Sequence, residues 1–212
     1  MEFISAPAEI EKRSFQKISE RLATDGLDPQ TLDVVKRVIH TTADFDYAEN
    51  LVFSSNALTA ARTALRAGAD LVTDTQMAKA GINKKALSQL GCKVHCFIDT
   101  PEVQQAAQAL GTTRAWAAVD WAAETLTGPL IYVVGNAPTA LIRLYELITQ
   151  QGFAPDLIIA VPVGFVNVVE SKELIMGLEV PHIVAKGQKG GSNVAAAICN
   201  ALLYEVTHRV LL

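Results

Sequence analysis

The sequence predicts an α/β fold: a three-layer α/β/α sandwich with a mainly parallel five-stranded sheet and a helical N-terminal region. Three observations predict it. From residue 69 onward, strand-like apolar runs alternate with helix-length segments, the pattern of parallel strands joined by helical crossovers. Half of the 212 residues are apolar and 19% are charged, which suits a sheet buried on both faces. Three of the apolar runs pass straight into a glycine-bearing loop and then a helix: LIYVVGNAPTALIRLYELI (130–148), LIIAVPVGFVNVVESKEL (157–174) and HIVAKGQKGGSNVAAAICNALL (182–203).

The elements follow in order. PAEIEKRSFQKISERLA (7–23) sets Ile10, Phe15, Ile18 and Leu22 close to a helical stripe. Asp28 and Pro29 read as the N-cap and first residue of a second helix that continues as TLDVVKRVIHTT. Ser54 or Ser55 caps NALTAARTALRAG, which Gly68 closes. Strands are expected at 69–73, 93–98, 130–134, 157–161 and 182–185. Helices are expected at 76–90 with a break at Gly81, and at 101–109, 113–126, 136–151, 167–177 and 190–208. With no repeat and no long linker, residues 1–212 read as one domain.

Several function classes lack support. The net charge is −4, the pI is near 5.6 and no basic block stands out, so a nucleic-acid partner has no electrostatic basis. The N-terminal segment has no apolar h-region, and no apolar run approaches the roughly 18 residues of a membrane span. Neither a signal peptide nor a membrane partner is expected. Cys92 and Cys96 share one face of an expected strand and read as small buried hydrophobes; His95 alone cannot complete a metal site with them. Free thiols point to a reducing compartment, hence the cytoplasm. No G-x-G-x-x-G follows the first strand, ADLVTDT, and KGQKGGSN lacks the P-loop order. No nucleophile elbow or H-E-x-x-H occurs either.

A ligand of an open parallel sheet sits outside the carboxyl ends of the strands. Residues 73–77, 99–100, 135–139, 162–166 and 187–192 are expected there. The helices that follow aim free backbone N–H groups at this edge, which suits carboxylate or phosphate. His40 ends the second helix, where the dipole favours a cation; this predicts a raised pKa, and the ring reads either as a helix-end histidine bonding the last carbonyls or as a protonated general acid. Arg114, beside the cap Thr112 or Thr113, opposes its helix dipole and reads either as a solvated surface arginine or as the mate of an anionic partner. Arg13, Ser14, Lys186 and Lys189 are further candidate carboxylate clamps. Asp44, Asp46, Glu49, Asp120 and Glu124 read as solvated helix faces. His95 in a strand, His182 away from the cleft and His208 in the last helix are weaker candidates.

Taken together, EKRSF (11–15), RVIHTTAD (37–44), VFSSNALTAARTALRAGADLVTDTQMAKAGI (52–82), TTRAWAAVD (112–120), GNAPTAL (135–141), PVGFVNVVESKELI (162–175) and KGQKGGSNVAAAICNALL (186–203) resemble the precorrin-8X methylmutase family. The resemblance runs in order along nearly the whole chain, and GNAPTAL followed by PVGFV-x-x-x-ESK is its most specific part. It implies a homodimeric isomerase of cobalamin biosynthesis that moves a methyl group from C-11 to C-12 of a corrin precursor, with or without cobalt. It implies that His40 is catalytic. The expected substrate-binding set is Arg13, Ser14, Thr75, Met77, Arg114, Gly135, Asn136, Ala137, Gly164, Phe165, Lys186, Gly190 and Gly191. No cofactor and no protein-bound metal are expected, because the methyl shift is intramolecular. The substrate implied is a tetrapyrrole with an apolar ring and several carboxylate arms, which matches a cleft of helix N-termini, cations and apolar surface. A non-catalytic corrinoid carrier and an unrelated nucleotide-binding enzyme are the alternatives.

Overall fold

The computed structural model describes residues 3–22 and 27–208. First come α1 (Pro7–Arg21), α2 (Leu32–Thr42), the single turn α3 (Tyr47–Asn50), β1 (Leu51–Phe53) and α4 (Ala57–Arg66). Next are β2 (Asp70–Thr73), α5 (Gln76–Gly81), α6 (Lys84–Gln89), β3 (Lys93–His95), α7 (Pro101–Leu110) and α8 (Arg114–Thr125). The last elements are β4 (Leu130–Val134), α9 (Pro138–Gln151), β5 (Leu157–Ala160), α10 (Val168–Met176), β6 (His182–Ala185) and α11 (Ser192–Val206).

The sheet has the order β1-β6-β5-β4-β2-β3. Strands β2 to β6 are mutually parallel, and β1 pairs antiparallel with β6 through Leu51–Ala185, Val52–Val184 and Phe53–Ile183. The expected five strands are therefore six. LVF at 51–53 is too short to carry its own periodicity and is a strand only because β6 is beside it.

The pleat divides the core. Ile131 and Val133 of β4 join α2, α4, α11 and Ile18 of α1 on one face, while Leu130, Tyr132 and Val134 join α8, α9 and α10 on the other. α7 packs outside α8 through Val103, Ala107, Ala117 and Ala118. Alanine keeps these helices close to the sheet and to each other, and the central strands β4 and β5 are buried and apolar on both faces.

Local differences have local causes. Asp28 Oδ1 accepts from the Gln30 N–H, so Asp28-Pro29 forms a turn before the helix, and α2 begins at Leu32 with Thr31 as N-cap. Ile10 is 45% exposed and lies off the buried stripe of Phe15, Ile18 and Leu22. The expected end of that helix at Ala23 lies outside the described residues. β3 stops at His95. The break at Gly81 separates α5 from α6, each capped by a side chain, Thr75 on Ala78 N–H and Asn83 on Ala86 N–H. α4 has Asn56 as N-cap, with Ser54 accepting from the Ala57 N–H through its carbonyl.

Candidate active site

The strand order reverses between β2 and β4. β2 leads into α5 on one face and β4 into α9 on the other, which is where an open α/β sheet leaves a crevice. Here Asp74 fills it. Its carboxylate accepts from the backbone N–H groups of Gly135 at 2.9 Å, Asn136 at 2.7 Å and Ala137 at 2.7 Å, and the residue is 3% exposed. Burial pushes the Asp74 pKa up, against the pull of those N–H donors. The N–H groups expected to await a ligand at GNAP are thus already engaged, and only the exposed Asn136 side chain remains for one. Asp74 stands in the place of a ligand anion at the start of α9.

Elsewhere the edge stays open. Neither α10 nor α11 has a side-chain cap on its N-terminus. Thr75 Oγ1 lies 2.7 Å from Ser192 Oγ, joining the β2 loop to the start of α11. Gly191 N–H donates to Val161 O at 2.9 Å, and Gly164 N–H donates to Gln188 O at 3.1 Å, so the PVGF and KGQKGG loops brace each other. Glycine is required at position 190, where a Cβ would lie 2.1 Å from Val161 O. Beneath this loop, buried Lys172 donates through Nζ to Gly187 O at 2.7 Å and Lys189 O at 2.9 Å. Burial lowers the Lys172 pKa to about 8. Sequence reading missed both Lys172 and Asp74. The signal was an ion at a strand end, Asp74, and an ion inside an apolar helix face, Lys172.

The rim is apolar. Phe165 is 85% exposed, Val166 75% and Met77 70%. Large apolar side chains left bare together at a strand edge mark a ligand or partner surface.

The expected cations are distributed unevenly. Arg114 finds its anionic partner within the chain, Asp99 at 3.3 Å, and both remain half exposed to solvent. Gln76 also donates to Asp99. Arg13 pairs with Glu9 on the surface of α1, beside half-buried Ser14. Lys186 is exposed. Lys189 is engaged by Asp44 at 2.6 Å and by Asp46, and these hydrogen bonds raise its pKa. Asp44 and Asp46 are therefore not merely solvated, and Asp120 is likewise held, by Arg143 at 2.7 Å. His95 bonds Asp70 at 2.8 Å, His182 Nδ1 donates to Val180 O, and His208 falls just beyond α11.

His40 lies at the end of α2, against α11. With Arg37, Thr41, Gly81, Asn193, Ala196, Ala197, Asn200 and Tyr204 it lines a cavity of about 280 Å³. Phe15 stacks on the imidazole, centroids 5.1 Å apart and planes at 29°. Partial burial, then the Arg37 guanidinium, lowers the His40 pKa; Glu11 opposes. The expected raised pKa is overturned. Burial and a neighbouring cation both disfavour the charged ring, against the preference of the helix C-terminus for a cation. A wider groove of about 570 Å³ lies between the far ends of α7, α8 and α9, at the amino end of the strands and away from this edge.

Among the described residues, no group of three or more His, Cys, Asp or Glu could hold a metal ion, and no helix is long and apolar enough to cross a membrane.

The precorrin-8X methylmutase family model matches residues 9–205. The cobalt-precorrin-8 methylmutase of Salmonella typhimurium is 46% identical, covering 97% of this chain and 99% of that protein. The precorrin-8X methylmutase of Pseudomonas aeruginosa is 35% identical over 97% and 99%. The crystal structure of precorrin-8X methylmutase from Thermus thermophilus superposes with a TM-score of 0.87 at 41% identity, covering 95% of this chain and 97% of that one. With the family match spanning almost every element, this chain belongs to the precorrin-8X methylmutases, isomerases of cobalamin biosynthesis that act by intramolecular methyl transfer.

Proposed function

We propose that this chain moves the methyl group on C-11 of (cobalt-)precorrin-8 to C-12, giving hydrogenobyrinic or cobyrinic acid, with His40 as the general acid. The observation that carries this reading is the His40 imidazole, backed by Phe15 and lining a cavity beside the uncapped start of α11.

The chemistry asks little of the protein. The methyl that leaves C-11 is the one that arrives at C-12, so no methyl donor, redox partner or cofactor is needed. A proton lent to the ring system changes its electronic state, and an equal proton is released afterwards. General acid assistance is worth about 10²–10⁴-fold, and positioning of a rigid ring adds more. Partial burial and the Arg37 guanidinium lower the His40 pKa in the unoccupied site, which disfavours the charged ring there. The carboxylate arms of the substrate bring negative charge, favour the imidazolium and so load the acid as the substrate binds.

The binding surface is assigned to Ser14, Thr75, Met77, Asn136, Phe165 and Arg114, with the backbone around Gly164, Gly190 and Gly191. A cavity of about 280 Å³ is below the volume a ligand larger than drug size occupies. We assign the missing wall to a second protomer, seated on the apolar rim of a homodimer. The free thiols and the location in the cytoplasm belong to the same proposal.

The test is His40→Ala. Corrinoid binding is retained while the visible-absorption change of product formation is lost. Turnover at the native rate would remove the general-acid role.

A further inference from the structure

Arg37 is the one described residue whose buried side-chain donors go unmatched. Its Nη1 donates to Glu11 Oε1 at 3.0 Å, while Nε and Nη2 are buried with no hydrogen-bond partner among the described residues. The guanidinium sits 4.7 Å from the Phe15 ring centroid and 5.2 Å from that of Tyr204. Two aromatic faces offset part of the desolvation, yet unmade hydrogen bonds to a buried cation remain unfavourable. An apolar side chain of similar volume would fill this space without that loss. A retained local cost beside a reactive group points to a role for the charge.

We propose that Arg37 is a positioning residue for His40: it holds Phe15 stacked over the imidazole and sets a fixed positive charge one helical turn from it. This rests on the reading of His40 as the proton donor. Phe15 is the shared part: the guanidinium lies 4.7 Å from its ring centroid and the imidazole stacks on it with centroids 5.1 Å apart. Arg37 and His40 are three residues apart on α2, hence on one face, and line the same cavity.

The charges around His40 are few. Arg37 on α2 and Glu11 on α1 act on it in opposite directions. α11 offers the cavity the neutral Asn193, Asn200 and Tyr204. On α3 the ionisable side chains are Tyr47, buried, and Glu49, at the surface; Asp44 beyond α2 is bound by Lys189. Arg37 thus adds to burial in disfavouring the imidazolium while the site is empty, and an arriving carboxylate offsets the guanidinium. The acid is armed by occupancy.

The test uses Arg37→Met, Arg37→Lys and Glu11→Gln in the full chain, with turnover followed against pH and the His40 ring proton followed by NMR, assigned with His40→Gln. Arg37→Met is expected to raise the His40 pKa, move the alkaline limb of kcat/KM to higher pH and lower kcat about tenfold or more. Arg37→Lys keeps the limb where it is and loses kcat, because an ammonium cannot hold Phe15 as the planar fork does. Glu11→Gln moves the limb to lower pH, and it is the deciding variant should Arg37→Met fail to fold. A folded Arg37→Met with native limb and native kcat overturns the inference, as does Glu11→Gln with an unmoved limb. Failure of the parent reading shows separately, as activity in His40→Ala.

Discussion

A histidine at a helix C-terminus ordinarily gains proton affinity from the macrodipole, and His40 loses it instead because Phe15 covers one face and Arg37 stands nearby. The sign of the pH dependence follows. On the proposed general-acid reading the protonated ring is the active form, so kcat/KM is expected to fall as pH rises through the free-enzyme pKa of His40, which partial burial and Arg37 lower. On the same reading, substrate carboxylates are expected to raise that pKa on binding, so that kcat holds to higher pH and binding takes up a proton. Calorimetry in two buffers of different ionisation enthalpy measures this uptake; its absence near neutral pH contradicts the loading mechanism. Asp74 makes a second residue-scale case. Asp74→Asn puts an amide N–H against backbone N–H groups, and about 2–4 kcal/mol of stability is expected to go. Thermal unfolding reads this as a Tm lower by about 5–15 °C.

Among the elements, the paired loops before α10 and α11 depend on close backbone approach. Gly190→Ala sets a methyl 2.1 Å from Val161 O, so the loop must move and the Gly191 N–H to Val161 O bond cannot keep its length. Turnover is expected to drop at least about tenfold with the fold retained by circular dichroism, since a shift of about 1 Å at a site costs on that order or more. Native kcat/KM in Gly190→Ala excludes the loop from the site. These loops were readable as a group, because several strand–glycine–helix junctions of one parallel sheet fall along a single edge. β1 was not, because three residues become a strand only when β6 supplies the partner. Asp74 was not, because Gly135 is 61 residues away and only the order β4-β2 brings the two together.

For the whole molecule, Phe165, Val166 and Met77 stand bare on the same edge. If a second protomer closes the site there, Phe165→Asp yields a monomer in sedimentation velocity and loses turnover even at saturating corrinoid. A dimer that survives this substitution places the interface elsewhere. The parallel core was legible in advance because central strands buried on both faces must be apolar throughout.

Residue order alone determined the layered fold, the glycine loops and a histidine at the end of the second helix, because apolar period and turn chemistry are local properties of the chain. Which N–H groups remain open, which cations are already matched and whether His40 carries a proton were decided by tertiary structure. Those depend on Asp74, Asp99, Asp44, Phe15 and Arg37 lying next to partners distant in sequence or on another element. Electrostatic energy follows distance and burial, and neither is written in a linear order of residues.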